Sequence, residues 1–385
     1  MRLADLPTPQ VLVDRERALR NIDRVQLLAS AAGMRLRPHA KTHKSPTVAT
    51  WQIDQGAVGV CCAKIGEAEV FVDAGIADVR LPYPVNPSNA ARLLALMDRA
   101  RISIIVDHLA VARGWSDAMR CAGRTLDVLV KVDVGFHRCG IDPDGDPVAF
   151  IQAVAAMPGL RLRGLLSHAG HGYHAASEDE LCRVAEREAE ILTGIRDRAA
   201  RSGIALEEIS VGATPTLRYS VRQQGITELR PGNYVYFDRT QVALGAATLD
   251  ECALTVLATV VSKPAADRII LDCGSKTLTN DLTRGYAGVP GARFVRDGVA
   301  VEKAPGYGAV LTADRRVDET LSIERLSEEH ATVRVAGATS LEPGDRVRVL
   351  PNHSCTVSNL VDVVRLVEGD DVIDTMPVAA RGRIT

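Results

Sequence analysis

The chain has 385 residues, 46% of them hydrophobic and 24% charged, with a formal net charge of −2. That length allows two domains and a large buried core. Near-neutrality without a long run of one sign argues against nucleic acid or a charged membrane surface as partner. The longest apolar run, near 253–261, is far too short to span a bilayer. Residues 1–9 lack a basic stretch followed by an apolar one, so no signal peptide is expected. Eight cysteines are scattered without small-domain spacing, which suggests reduced thiols and a cytoplasmic protein.

In chain order, Val11-Leu12-Val13 reads as extended and precedes a helix over 15–32, where Ala18, Leu19, Ile22, Val25 and Leu28 recur at helical spacing. Short β-branched runs then alternate with amphipathic stretches. Strands are predicted over 36–41, 58–63, 79–85, 103–107, 126–134, 160–168, 206–214 and 227–236. Helices such as 65–74, 90–100 and Glu178–Arg201 lie between them. Eight strands separated by helices suggest a (β/α)8 barrel over 15–240, within an α/β fold class. A doubly wound open sheet is the competing architecture, but no glycine fingerprint follows the first strand of the series. After residue 240 the runs 254–261, 268–272, Ala331–Val335 and Arg346–Leu350 are separated by Gly, Pro and Asp, and few helices are evident. This reads as a smaller, mainly β domain.

Several segments carry chemistry. Arg37-Pro38-His39-Ala40-Lys41-Thr42-His43-Lys44 closes the first barrel strand. Barrel chemistry sits where strands finish, and a partly desolvated lysine there can form a Schiff base, although a basic surface turn has the same composition. Gly135-Phe136-His137-Arg138 sets an arginine at the same rim. Ser167-His168-Ala169-Gly170-His171-Gly172-Tyr173-His174 gathers three histidines, which suit either metal ligation or a solvated loop. Gly212-Ala213-Thr214 and Gly232-Asn233-Tyr234 follow the seventh and eighth strands, where barrels often hold a phosphate on backbone N–H groups and a hydroxyl. Finally, His353 and Cys355 are two apart on a segment expected to be extended, which would project both to one side. Imidazole and thiolate suit zinc, but two ligands make at most an open site.

Taken together these segments resemble the fold-type III pyridoxal-phosphate enzymes, and within them the group of D-threonine aldolase, D-serine dehydratase and D-threo-3-hydroxyaspartate dehydratase. The resemblance runs from Thr8-Pro9 to Pro351-Asn352-His353-Ser354-Cys355, and Pro38-His39-Ala40-Lys41-Thr42-His43-Lys44 is its most specific part. It implies an alanine-racemase-like barrel plus a mainly β second domain made of 1–14 with 241–385. It implies that Lys41 is the Schiff-base lysine and that Arg138 faces the pyridine nitrogen. It places His168, Tyr173, Gly212, Thr214, Gly232, Asn233 and Tyr234 around pyridoxal 5'-phosphate. It makes His353 and Cys355 the ligands of a divalent metal, with zinc favoured over manganese or magnesium. The implied partners are a small D-amino acid substrate and a second copy of the chain in a homodimer, with no nucleic acid and no membrane.

The expected activity is a lyase reaction on D-β-hydroxy amino acids. His-x-Cys and His168 favour a dehydratase giving a keto acid and ammonia, whereas Gly274-Ser275-Lys276-Thr277-Leu278 is similar to aldolase relatives, which give glycine and an aldehyde. Two other classes stay open. A racemase would need a second base, for which Tyr307 is a candidate by position only, and a vitamin-B6 carrier would not need the β domain or the His-x-Cys pair.

Overall fold

A computed structural model describes residues 1–296, 299–302 and 305–385, with side chains for 1–292 and 305–385. The first strand, β1 (Gln10–Asp14), leads directly into α1 (Arg15–Ala31). The Asp14 carboxylate accepts the Arg17 N–H at 3.1 Å, which satisfies one of the open donors of the first turn. Ala18, Ile22, Val25 and Ala29, spaced four, three and four apart, form the buried stripe of the helix.

Eight parallel strands follow: β2 (Arg35–Leu36), β3 (Val60–Cys61), β4 (Asp78–Pro84), β5 (Arg101–Val106), β6 (Leu126–Lys131), β7 (Leu160–Leu166), β8 (Glu208–Val211) and β9 (Glu228–Leu229). They are hydrogen-bonded in the order β2-β9-β8-β7-β6-β5-β4-β3. The sheet curls until its ends meet. Val58 N–H donates to Leu36 O at 2.9 Å, Cys61 N–H donates to Pro38 O at 2.7 Å, and His39 bridges Cys61. Helices α2 (Pro46–Asp54), α3 (Ile65–Asp73), α4 (Ala90–Met97), α5 (Leu109–Cys121), α6 (Pro147–Ala155) and α7 (Glu178–Arg201) fill the connections. The longest, α7, starts on the Ser177 hydroxyl, carries Glu178, Asp179 and Glu180 in its first turn, and ends with Arg198 and Arg201. Each placement complements the helix dipole.

The first and last predicted barrel strands are shorter than expected. In place of 36–41 only Arg35 and Leu36 form a regular ladder, and in place of 227–236 only Glu228 and Leu229 do. Pro38 and Pro231 have no N–H to extend a ladder, and each is soon followed by a tight turn, Ala40–Thr42 and Asn233–Val235 respectively.

The second sheet is nine-stranded. It contains β10 (Leu254–Ala265), β11 (Arg268–Leu271), β14 (Ala309–Leu311), β15 (Leu321–Leu326), β16 (Ala331–Val335), β17 (Arg346–Leu350), β18 (Val363–Glu368) and β19 (Asp371–Pro377), together with β1. A separate pair, β12 (Arg293–Arg296) and β13 (Val299–Glu302), forms a hairpin. β1 lies inside the nine-stranded sheet, antiparallel to β10 and parallel to β18. β17 pairs with β10 and β14 and runs directly into the His353 segment. Short helices α8 (Leu217–Ser220), α9 (Arg239–Ala243), α10 (Ser275–Leu278) and α11 (Ser354–Ser358) complete the regular structure. No helix among the described residues is long and apolar enough to cross a membrane, and all eight cysteines are free thiols.

The barrel interior is charged rather than aliphatic in its N-terminal half. Arg80 on β4 is 2% exposed. It donates to Ser103 Oγ at 2.9 Å, to Glu208 Oε2 at 2.8 Å and to Glu228 Oε1 at 2.5 Å. Arg37 adds a bond to Glu228 Oε2 at 3.0 Å and one to Asp78 Oδ1 at 2.6 Å. Burial alone would push the Glu228 carboxyl up, but Arg80 and Arg37 outweigh it and hold it down at about 2. Because the folded carboxyl keeps its charge more tightly than an unfolded one, its contribution is complete above the ordinary value of 4.5 and fades as pH falls toward 2. Arg80→Met should therefore cost about 3–5 kcal/mol in urea unfolding at neutral pH. The gap to the parent should narrow as acid protonates Glu228, and a gap independent of pH would contradict this account.

Candidate active site

Five loops at the C-terminal end of the barrel and two from the second sheet enclose a cavity of about 280 Å3. Lys41 enters it from a single turn of 3-10 helix, Ala40–Thr42, rather than from a strand end. His39 starts this turn by accepting the Lys41 N–H on Nδ1 at 3.3 Å. Lys41 is open to the cavity yet ringed by protein. Desolvation pulls its pKa down, Cys355 opposes the shift, and Arg138 adds to it.

The neighbouring loops are built as tightly. Asp133 Oδ1 accepts the N–H groups of Gly135 and His137, both at 3.0 Å, and thereby turns Phe136 and Arg138 toward the cavity. The Arg138 guanidinium lies 4.9 Å from the Phe136 ring centre. Phe136 in turn meets His168 edge-on, with centroids 5.6 Å apart. A Cβ at Gly170 would come within 2.7 Å of the Phe136 ring, so only glycine leaves room for it. His168 Nδ1 bonds to the Gly212 carbonyl. A carbonyl only accepts, so Nδ1 carries the proton and Nε2 is left as an acceptor. Burial, with Lys41 and Lys131 nearby, holds His168 well below its usual pKa and neutral. Tyr173 accepts from Gln241 Nε2 at 3.3 Å at the side of the cavity.

Thr214 also lines the cavity, and its Oγ1 is buried without a hydrogen-bond partner. Gly232 lies so close to His39 that an added Cβ would meet its carbonyl oxygen at 3.0 Å. Among the described residues, the N–H groups of Gly232, Asn233 and Tyr234 find no backbone acceptor. An orphaned hydroxyl beside open amides is a cradle for an anionic oxygen cluster. Two residues expected here contribute differently. Tyr234 has a fully buried phenol that accepts from Gln52 Nε2 at 3.0 Å, so its side chain points away from the cavity. Gly212 acts from behind His168 through its carbonyl. The Asn233 side chain is committed elsewhere, donating to Asp238 Oδ2 at 2.6 Å and to Ser354 Oγ at 3.1 Å.

His353 and Cys355 form the facing wall. They do not alternate along a strand. His353 is the extended N-cap of α11 and Cys355 is already in the first helical turn, because the ladder of β17 ends before Pro351. The two side chains still converge. Burial would lower the His353 imidazole, but the Cys355 thiolate and Asp281 raise it to about 11. Burial raises the Cys355 thiol, and His353 outweighs that and brings it below the ordinary thiol range. Asp281 Oδ2 bonds to His353 Nδ1 at 2.8 Å, which leaves Nε2 as the nitrogen available to a ligand. Cys355 Sγ lies 3.1 Å from Thr42 Oγ1, so the residue after Lys41 touches the thiol directly. No cluster of three or more His, Cys, Asp or Glu side chains with metal-holding geometry occurs among the described residues.

Of the eleven residues that the sequence motifs point to, Lys41, Arg138, His168, Tyr173, Thr214, Gly232, Asn233, His353 and Cys355 line this cavity, and Gly212 and Tyr234 do not. Lys131 and Arg230 open two of the motif segments, Lys131–Gly140 and Arg230–Tyr234, without a role assigned to them from sequence, whereas Arg284 and Asp281 lie outside every motif. Lys131 ends β6 and is 3% exposed, and burial with Arg230 nearby pushes it down to about 7. Arg230 is 5% exposed and donates through Nε to Ser210 Oγ at 2.7 Å. His171 and His174 are not among the lining residues.

Residues 13–240 match the family model described as "Alanine racemase, N-terminal domain", and 253–367 match "Putative serine dehydratase domain". D-threonine aldolase of an Arthrobacter species is 34% identical over 99% of this chain and 94% of its own length. D-threo-3-hydroxyaspartate dehydratase of Delftia sp. strain HT23 is 32% identical over 97% of each. The solved structure of that dehydratase superimposes with a TM-score of 0.88 at 31% identity, covering 98% of both chains. Other solved forms of a D-threo-3-hydroxyaspartate dehydratase carry alanine for a histidine and for a cysteine two positions later, the latter in a metal-free form. Fold, cavity and relatives agree on the class, a pyridoxal-phosphate-dependent enzyme of the alanine-racemase-like fold. The chain belongs to the lyase family that contains D-threonine aldolase, D-threo-3-hydroxyaspartate dehydratase and D-serine dehydratase.

The imidazolium–thiolate pairing has a direct consequence. In metal-stripped protein at neutral pH, iodoacetamide should modify Cys355 ahead of Cys121, which is exposed on α5. Peptide mass mapping reads the order, and modification of Cys121 first would contradict the thiolate.

Proposed function

We propose that this chain is a pyridoxal-phosphate- and divalent-metal-dependent dehydratase that converts a D-β-hydroxy amino acid to a keto acid and ammonia. One observation carries the reading: Lys41 and the His353–Cys355 pair face a single cavity, joined by the 3.1 Å contact between Thr42 and Cys355. An amine that works at the α-carbon and ligands that can work at the β-substituent are thereby held within one small molecule's length.

The residues fit the cofactor. The orphaned Thr214 hydroxyl and the amides at Gly232–Asn233 suit its phosphate, His168 offers a neutral ring, and Arg138 a permanent cation for the pyridine nitrogen. The imidazole–thiolate pair favours zinc, with Asp281 fixing the imidazole from behind. When bound, pyridoxal phosphate supplies an electron sink for charge at the α-carbon, and the metal a Lewis acid for the β-hydroxyl. Lys41, its pKa drawn down by burial, takes the α-proton on Nζ. Loss of the β-hydroxyl as water, followed by hydrolysis, gives the keto acid and ammonia.

The His-then-Cys spacing altered in solved dehydratase forms supports dehydration. The Arthrobacter D-threonine aldolase, at 34% identity, supports a second reading, retro-aldol cleavage to glycine and an aldehyde. A cytoplasmic homodimer is part of the proposal, on the free thiols and the family pattern.

Holoenzyme incubated with D-serine, D-threonine and D-threo-3-hydroxyaspartate tests the reading. Ammonia and keto acid are expected, abolished by chelator, restored by zinc, and absent in Lys41→Ala together with the visible absorbance of bound cofactor. Glycine plus aldehyde would select the aldolase, an inverted but intact substrate would select a racemase, and full activity in excess chelator would remove the metal.

A further inference from the structure

The cavity is lined by five lysine and arginine side chains, Lys41, Lys131, Arg138, Arg230 and Arg284, besides three histidines, and by no aspartate or glutamate among its described lining residues. Four of them have work within the reading above or within the barrel wall. Lys41 is the amine, Arg138 stacks on Phe136, Lys131 is buried at the end of β6, and Arg230 is fixed by Ser210 and the Ser167 carbonyl. Arg284 has no such task. It is exposed at the mouth, and its guanidinium pairs with no carboxylate among the described residues.

Its loop is nevertheless held. Asn352 Nδ2 donates to the Asp281 carbonyl and to the Gly306 carbonyl, both at 2.8 Å. Asn352 Oδ1 accepts from Thr283 Oγ1 at 2.6 Å and from Arg239 Nη1 at 3.0 Å. The same loop supplies Asp281 to His353 three residues earlier. One stapled segment therefore both orients the metal-ligand candidate and presents a guanidinium, within Coulombic reach of Asp281, at the same cavity.

We infer that Arg284 selects a substrate carrying a second carboxylate on its β-carbon, so that the favoured class is the β-carboxylated D-β-hydroxy amino acids of the 3-hydroxyaspartate type. This deepens the lyase reading and rests on it. Lys41, His353, Cys355 and Arg284 line one cavity, so a substrate with its α-carbon at Lys41 and its β-hydroxyl toward His353 and Cys355 has Arg284 as the arginine of the second-sheet side within the same enclosure. The methyl of threonine or the hydrogen of serine gains nothing from a guanidinium. A carboxylate there makes charge-assisted hydrogen bonds that the planar fork can share between two oxygens. Asp281 is close enough for Arg284 to help hold its carboxyl down, but that carboxylate is bonded to His353 and Thr356, so the guanidinium's own donors stay open to a substrate anion.

Calorimetric titration of the holoenzyme with D-aspartate and D-alanine tests this without turnover, because neither ligand has a β-hydroxyl to lose. Wild type should prefer D-aspartate by about tenfold or more. Arg284→Ala should erase the preference by weakening D-aspartate alone, and Arg284→Lys should regain part of it. In kinetics, Arg284→Ala should raise KM for D-threo-3-hydroxyaspartate while changing kcat less, and should change the kinetics of D-serine less than those of the dicarboxylate. No preference in wild type, or equal weakening of both ligands in Arg284→Ala, overturns the assignment. If the preference holds but none of the three D-substrates is cleaved, the assignment of Arg284 stands and the lyase reading falls.

Discussion

A cavity lined by lysine and arginine side chains, with no carboxylate among its described lining residues, favours an anionic occupant, and the rest of the site follows from that constraint. Lys41, Arg138, Arg230 and Arg284 converge there, with Lys131 held at about 7 beneath them. Their mutual repulsion and desolvation disfavour the charged lysines and favour an anionic occupant. The Thr214 hydroxyl left without a partner and the open amides at Gly232 and Asn233 are donors suited to such an occupant's oxygens. The barrel tolerates this because its carboxylates are placed lower. Glu228 and Glu208 bind Arg80 in the N-terminal half and hold the strands together there.

The second sheet completes the site by a short reach. β17 delivers Pro351 to Cys355 against the barrel mouth, and the contact is dense: Arg239 N–H to Pro351 O, Thr240 Oγ1 to Asn352 O, Asn233 to Ser354, and Thr42 to Cys355. Asp238, fully buried, accepts from Asn233, Ser354 and Gln241 and ties the two halves at one carboxylate. The fixed distance between the Lys41 turn and the thiol is therefore a property of the junction. Neither the barrel nor the sheet could set it alone.

Much of this was legible in the sequence, for identifiable reasons. Alternating β-branched and amphipathic runs betrayed eight strands, because each barrel strand is buried on both faces and each helix on one. α7, Ala331–Val335 and Arg346–Leu350 fall where their patterns place them. The ends of β2 and β9 did not, because prolines stop a ladder without interrupting the apolar pattern. Lys41, Arg138, His353 and Cys355 stood out through local motifs. Asp281 could not, since the histidine it orients is 72 positions away. Arg284, Arg230 and Lys131 look like ordinary surface or strand cations until folding brings them to one cavity. Tyr234 misled for the opposite reason: its neighbours face the cavity, but the 3-10 turn rotates its phenol to Gln52.

The proposed chemistry requires that Lys41 carry the cofactor. Borohydride reduction of the holoenzyme, followed by proteolysis and peptide mass mapping, reads this directly. The pyridoxyl mass should appear on Lys41 and on no other lysine. Its appearance on Lys131, the other lysine lining the cavity, or on neither, would contradict the assignment from which the chemistry was built.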